Sequence, residues 1–481
     1  MPERFFCTAG RGMEHFVTQE VMKKLSATEV ETMSGKVLFT AEPDLCRLRL
    51  IKSGERLFLL LKNDSPLSLP KNKGKARSAL REYVIGEPQI WLHCLAVWQK
   101  LQEQLQQHQH VCGMVGISSK RKSGSASEFH ISKYSKQDNT ARDRVCLFDD
   151  QTHKNNMSET EDQNTMDSKE LDATEQQLLS KTHKNTTPIT FRVSCRCSGA
   201  SAKVFTAQEV GAVIGASIIK QFGWKPDLRT PSLEVFVHLN DQYSVVGFPV
   251  TRQPLASRDY IRNTGLRSTT AWAMGALAEL HVGALVLDPM CGVGTILLEA
   301  AKEWPFGHFV GVDNNDSQLK SAVSNVKGAG LGGSIELLKG SVLDLPFVSE
   351  SIDAVISDIP FGRKFTSSRN MKDLLPDIIR EMQRVVRVEG IIVLLLSQCL
   401  HHHLKVNFHF GAIEKKNISS SDNHTVSEEA KGVNKDNIIN KTHWFDSLVA
   451  LESHSVSLGV TEAVIFKCKK NVSSLPCNKF V

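Results

Sequence analysis

From Leu266 onward, short apolar runs alternate with longer segments of helical period. Runs of strand length occur at Ala284 to Leu287, Phe309 to Val312, Ile335 to Leu338, Ala354 to Ser357 and Ile391 to Leu396. A helical or loop segment follows each one, which predicts an α/β fold built on an open parallel sheet. A final run, Glu462 to Cys468, predicts a closing strand. Upstream, Ile189 to Cys195 alternates like a strand. Gln208 to Phe222 sets Val210, Val213, Ile214, Ile218 and Ile219 on the inward side of a helix, and Leu233 to Leu239 with Tyr243 to Val250 flank an Asn240-Asp241 turn. Nearer the N-terminus, Glu14 to Leu25 reads as an amphipathic helix. Arg56 to Lys62 reads as a buried strand and Gln89 to Gln107 as a helix.

Two stretches interrupt this order. Ser118 to Thr187 is rich in Ser, Lys, Asp, Asn, Gln and Thr, and it has too little apolar surface to offset the entropy of ordering. It is expected to be a disordered insertion. A second polar insertion runs from His401 to Lys441. The chain therefore divides into an N-terminal half (1–117), an insertion (118–187), a small α/β module (188–265) and a parallel-sheet domain (266–481) that carries the insertion at 401–441.

Composition adds mainly exclusions. With 481 residues, 41% hydrophobic and 23% charged, the chain has the make-up of globular protein. A net charge of +6 permits an RNA ligand without requiring one. Eleven cysteines are scattered with no CxxC pair, so neither a disulfide framework nor a zinc site is expected. No apolar run approaches the roughly 20 residues of a membrane helix, and MPERFFCTAGRG does not read as a signal peptide. These features favour the nucleus or cytoplasm over secretion, with no membrane partner.

Two segments carry candidate chemistry. At the end of the first strand of the parallel sheet stand Asp288, Pro289, Cys291, Gly292, Gly294 and Thr295, just before a helix. The glycines allow a tight turn and close approach of a ligand to backbone. Asp313, ending the next strand, suits ribose hydroxyls, and Asp344, after the third, suits an adenine amino group. A dinucleotide site needs a third glycine where Leu297 stands, and Asp288 puts negative charge where a pyrophosphate would lie. S-adenosylmethionine, a cation, tolerates that charge better. A dinucleotide or a plain strand–helix turn are the competing readings.

The second segment, Asp358-Ile359-Pro360-Phe361, ends the fourth strand. An amino group on a base is a weak nucleophile. The Asp358 carboxylate and Ile359 carbonyl could each accept one of its N–H bonds and hold it toward a methyl donor. Pro360 restricts the turn, and Phe361 offers a face for base stacking. Methylation of adenine N6 or a protein glutamine would need the same pair of acceptors.

Both segments are similar to class I methyltransferases that modify exocyclic amines, whose acceptor motif is commonly Asn-Pro-Pro-Tyr. The Asp-Ile-Pro-Phe variant, together with FRVSCRCSGASAKVFTAQEVGAVIG (Phe191 to Gly215) and VVGFPVTRQPLASRDYIRNTGLRSTTAWAM (Val245 to Met274), resembles the THUMP-domain RNA guanosine N2-methyltransferases. FCTAGRGMEHFVTQEV (Phe6 to Val21) resembles the start of their N-terminal ferredoxin-like half. The resemblance implies a Rossmann-like methyltransferase domain behind a ferredoxin-like and THUMP module. It implies N2-methylguanosine formation in a structured small RNA, either transfer RNA or U6 small nuclear RNA. It also implies a heterodimer with a small zinc-binding activator subunit. A catalytically silent RNA-binding adaptor on the same fold is the alternative of another class. Lys71, Lys73, Lys75 and Arg77, in a basic loop opening a helix, are candidate RNA contacts, with a solvated face as the competing reading. Arg258 and Arg267, at the entrance to the catalytic domain, are further candidates.

Overall fold

A computed structural model describes residues 1–115, 188–360, 371–405, 447–459 and 461–472. The expected insertion at 118–187 lies outside the described residues, as do Phe361 and all of the second insertion beyond residue 405. The chain forms two compact units, Met1–Leu57 with Thr251–Val481, and Phe58–Val250. The N-terminal residues thus divide at 57, not at the expected 117, and the first 57 belong with the parallel-sheet domain.

The first unit begins with β1 (Glu3–Thr8), α1 (Glu14–Leu25), β2 (Thr28–Met33), β3 (Lys36–Ala41) and α2 (Leu45–Leu48). Strands β1 and β2 both pair antiparallel with β3. The spacing of Phe16, Val17, Val21 and Leu25 puts all four on the buried face of α1. Glu20 is buried on the same helix. Its carboxylate accepts the backbone N–H groups of Lys52 and Ser53 at 2.8 Å, which fixes the chain beyond α2.

The second unit holds β4 (Arg56–Asp64) from Phe58 on, α3 (Lys73–Ile85), α4 (Pro88–Val115), β5 (Thr190–Cys197), α5 (Gly199–Val204), α6 (Ala207–Phe222), β6 (Lys225–Pro226), β7 (Leu233–Leu239) and β8 (Ser244–Pro249). Its strands lie in the order β4-β8-β7-β5-β6, and β5 and β7 run parallel. Thr206 starts α6 with a capping box closed by Glu209. Val210, Val213, Ile214 and Ile218 are buried as expected, but Ile219 is 44% exposed. One residue is a turn of about 100° around a helix axis, enough to carry Ile219 off the core face. Trp91, Phe222, Trp224 and Phe248 form the aromatic centre of this unit.

The remainder of the first unit contains α7 (Ser268–Leu277), β9 (Leu285–Asp288), α8 (Thr295–Glu303), β10 (His308–Asp313), α9 (Asp316–Ala329), β11 (Ile335–Lys339), β12 (Ile352–Asp358), α10 (Met371–Val385), β13 (Val386–Ser397), β14 (Leu448–Ser457) and β15 (Glu462–Lys470). The sheet order is β11-β10-β9-β12-β13-β15-β14. All five expected parallel strands are present. The closing strand β15 runs antiparallel to β13, and β14, which the hydrophobic pattern did not reveal, pairs antiparallel with β15. Successive strand residues serve opposite layers. Ile356 joins the core with Leu297 and Met274, and Val355 joins the one with Ile378 and Met382. The edge strand β14 is covered in part by the N-terminal segment. Ser457 N–H donates to the Arg11 carbonyl at 2.9 Å, and the His15 and His454 rings stack 4.3 Å apart.

Arg258, a candidate RNA contact from sequence, is instead built into the core. Its side chain is 3% exposed and pairs with Glu299, 1% exposed. Nε donates to both Glu299 oxygens, at 3.0 and 3.2 Å. Nη2 donates to the Lys52 carbonyl at 2.8 Å and Nη1 to the Leu255 carbonyl. Tyr260 Oη adds a 2.7 Å bond to Glu299. A guanidinium so enclosed, paired with Glu299 and 3% exposed, is out of reach of a phosphate. Removing one partner leaves a buried charge uncompensated. Glu299→Ala is therefore expected to lower stability by about 3–5 kcal/mol, read from urea unfolding.

Candidate active site

The sheet register gathers three carboxylates at one edge. Gly311 of β10 aligns with Asp288 of β9, and Val355 of β12 aligns with Leu287. Parallel neighbours in this register end at the same side, so Asp288, Asp313 and Asp358 share the carboxyl edge of the sheet. That edge is where open α/β sheets hold ligands.

The loop from Asp288 to Thr295 has the geometry of a cradle. Gly292 and Gly294 have φ of 53° and 82°, left-handed values that disfavour a side chain. The amide of Cys291 donates to the Val312 carbonyl at 3.0 Å, and Gly294 N–H returns to the Cys291 carbonyl at 2.8 Å. Gly294 caps α8 without a side-chain acceptor, which leaves that helix end open to a ligand. Thr295 Oγ1 is buried and has no hydrogen-bond partner among the described residues. Asp313 braces the loop from the next strand, its two oxygens accepting Gly292 N–H at 2.9 Å and Asn315 N–H at 2.8 Å. Each oxygen keeps a second lone pair for a hydroxyl.

The other expected cofactor residues fall into different places. Pro289 is buried in the loop. The Cys291 thiol turns into the core, near enough to Gly311 that a Cβ there would lie 2.9 Å from its sulfur. Burial raises the thiol pKa, so it stays neutral, and only the Cys291 backbone shapes the cradle. Asp344 lies exposed on a turn after β11 and bridges to Ser341.

Asp358 ends β12 with Oδ1 buried and without a hydrogen-bond partner among the described residues. Burial pushes its pKa up to about 7. Asp288 is 1% exposed, and burial holds its pKa well above the usual carboxylate range. The nearby charges of Asp358 and Asp313 raise it further, against bonds from Met290 N–H and the Ser357 hydroxyl. Ser357, fully buried, is a contributor that sequence reasoning missed, since it reads as one more strand residue. Ile359 is buried, and its N–H donates to the Leu395 carbonyl at 3.0 Å, which fixes the turn that Pro360 continues. Phe361 lies outside the described residues.

These groups fit a cationic, nucleoside-like ligand. The cradle is open backbone, its wall is acidic, and Thr295 Oγ1 and Asp358 Oδ1 await donors or acceptors. An added pyrophosphate would meet carboxylates instead of cations.

The basic candidates separate in the same way. Lys71, Lys73, Lys75 and Arg77 are exposed around the start of α3. Lys73 pairs with Glu209 at 3.0 Å. Arg267 gives Nε and Nη2 to Glu55 at 2.6 and 2.7 Å, so its fork is already occupied.

Comparison with known proteins agrees with this geometry. The TrmN crystal structure from Thermus thermophilus superposes with a TM-score of 0.58 at 17% identity. It covers 97% of this chain and 99% of that one, which shows the shared fold. A THUMP domain model matches residues 167–247, and UPF0020, an RMKL-like methyltransferase domain, matches residues 256–425. Fold and site thus define a class I methyltransferase domain behind a THUMP module. The chain is 45% identical to the Homo sapiens U6 snRNA (guanine-N(2))-methyltransferase THUMPD2 and 44% identical to the Bos taurus protein, over 98% of its length and 96% of theirs. Mus musculus tRNA (guanine(6)-N(2))-methyltransferase THUMP3 is 26% identical over 81% of this chain and 80% of its own. The chain belongs to the THUMPD2 family of THUMP-domain RNA guanine-N2 methyltransferases.

The raised pKa of Asp358 has a measurable sign. A buried carboxyl that stays neutral to about pH 7 supports the fold fully below its unfolded pKa, and this support is lost as pH rises through 7. Asp358→Asn removes that loss. The variant is expected to melt above wild type at pH 8, with the gap closing toward pH 4.

Proposed function

We propose that this chain transfers a methyl group from S-adenosylmethionine to the guanine N2 amino group of U6 small nuclear RNA. The observation that carries the chemistry is Asp358, a buried carboxyl with no partner for Oδ1 among the described residues, at the same sheet edge as the glycine cradle. The choice of U6 over transfer RNA rests on the relatives. Those named for U6 match at 43–45% over nearly the whole chain, and those named for transfer RNA at 24–28% over 40–81% of it. A U6 substrate also favours the nucleus as the place of action.

S-adenosylmethionine, when bound, supplies an electrophilic methyl group. Asp288 and the 291–294 backbone would receive it, with Asp313 on its ribose hydroxyls and Asp344 on its adenine amino group. Asp358 would accept one N–H of the guanine amino group and the Ile359 carbonyl the other, turning the nitrogen lone pair toward the methyl carbon. With a pKa of about 7, Asp358 is also a base matched to neutral pH for the proton that N2 releases. Phe361 would stack on the base. The exposed cations Lys71, Lys75 and Arg77 belong to RNA binding in this scheme. Arg267 contributes to the fold through Glu55.

A small zinc-binding activator subunit is the proposed protein partner. Its test is methylation by the chain purified alone and with the activator added. Full activity alone, unchanged by the addition, would remove the activator from the scheme.

The substitution Asp358→Ala is expected to retain cofactor binding and to lower methyl transfer by about a hundredfold or more. Asp313→Ala should instead weaken cofactor affinity, measured by titration calorimetry. For the wild type, kcat/KM is expected to rise with pH as Asp358 ionises, with a midpoint near 7. Nucleoside mass spectrometry of U6 and transfer RNA from cells lacking the protein identifies the substrate. Loss of N2-methylguanosine from transfer RNA alone would overturn the U6 assignment.

A further inference from the structure

Asn325 lies on α9, far from the cradle in sequence, and is fully buried. Its carboxamide is saturated. Oδ1 accepts the backbone N–H groups of Arg262 and Asn263, each at 2.9 Å. Nδ2 donates to the carbonyls of Asn263 and Val293, each at 3.0 Å. Two accepted and two donated bonds are all that a primary amide can make. Val293 stands between the two cradle glycines, so one side chain ties the cradle loop to the segment that precedes α7.

That segment presses on the cradle. A Cβ on Gly265 would lie 2.6 Å from Val293 Cγ2 and 2.9 Å from Thr295 Oγ1. Arg262 lies over α9, where a Cβ on Gly328 would come within 2.8 Å of its Nε. The Asn263 side chain adds a bond to the Ser321 carbonyl at 3.3 Å.

We propose that Asn325 is a positioning residue for the methyl donor: it locks the cradle loop and the 262–265 segment into the bound shape before the ligand arrives. This rests on the assignment of residues 288–295 as the S-adenosylmethionine cradle. Pre-forming the loop spares the ligand the cost of ordering it. A carboxylate at this position could not replace the amide, because its second oxygen would face two carbonyls. A protonated acid could restore one of the two donated bonds.

The test is Asn325→Asp in the full chain, with S-adenosylhomocysteine as the calorimetric probe and transcribed U6 RNA as the control ligand. At pH 8 the affinity for S-adenosylhomocysteine is expected to fall roughly tenfold, with RNA affinity unchanged. The ratio to wild type should shrink as pH is lowered toward 6. Amides of Val293 to Thr295 should exchange hydrogen faster than in wild type without ligand. Equal affinity at both pH values, or equal loss of both ligands, would overturn the proposal. If Asn325→Asp fails to fold, Gly265→Ala crowds the same contact from the other side, and unchanged S-adenosylhomocysteine affinity there overturns it as well. A wild-type chain that does not bind S-adenosylhomocysteine would instead overturn the cradle assignment.

Discussion

Parallel pairing of β9 with β10 and β12 is the constraint on which the site depends. These strands are short and apolar, and in a sheet covered on both faces their side chains leave only one register that buries them all. Their last residues then come out together. Asp288, Asp313 and Asp358 sit at the end of three neighbouring strands because the cores behind them are packed, and a slip in β12 would carry Asp358 out of reach of the cradle.

Burying Asp288 and Asp358 beside a third carboxylate, Asp313, is unfavourable for the empty protein. Burial keeps Asp288 neutral well past the ordinary carboxylate range and brings Asp358 to about 7. That cost is what makes the edge selective. A cation gains where a phosphate would lose, and an amino group offers the N–H donors that Asp358 Oδ1 lacks among the described residues. Asp313 differs in being braced by Gly292 and Asn315 N–H groups, so it shapes the loop while keeping lone pairs for a ligand.

The N-terminal 57 residues contribute to this unit more than their place in the chain suggests. Arg258 joins Glu299 of α8 to the Lys52 carbonyl, and Arg267 joins the start of α7 to Glu55. Both arginines read from sequence as free cations near a module boundary. Their acceptors lie far away along the chain, and no local pattern marks Glu299 or Glu55 as their partners. The exposed cations at the start of α3 were more legible, because a basic loop before a helix stays exposed whatever the tertiary fold.

The sequence by itself determined the alternation of strands and helices, the glycine turn after Asp288 and the carboxylate before Ile359-Pro360. Each is a local matter of hydrophobic period or backbone freedom. It did not show β14, whose mostly unburied residues lack a regular alternation and become a strand only against β15. Nor did it show that Cys291 faces the core, that Ser357 bonds Asp288, or that Asn325 holds Val293. Tertiary structure decided these, because hydrogen bonding and burial join residues that the chain keeps apart. The groups that do the chemistry were readable locally, whereas those that hold them in place became visible only once the strands were paired.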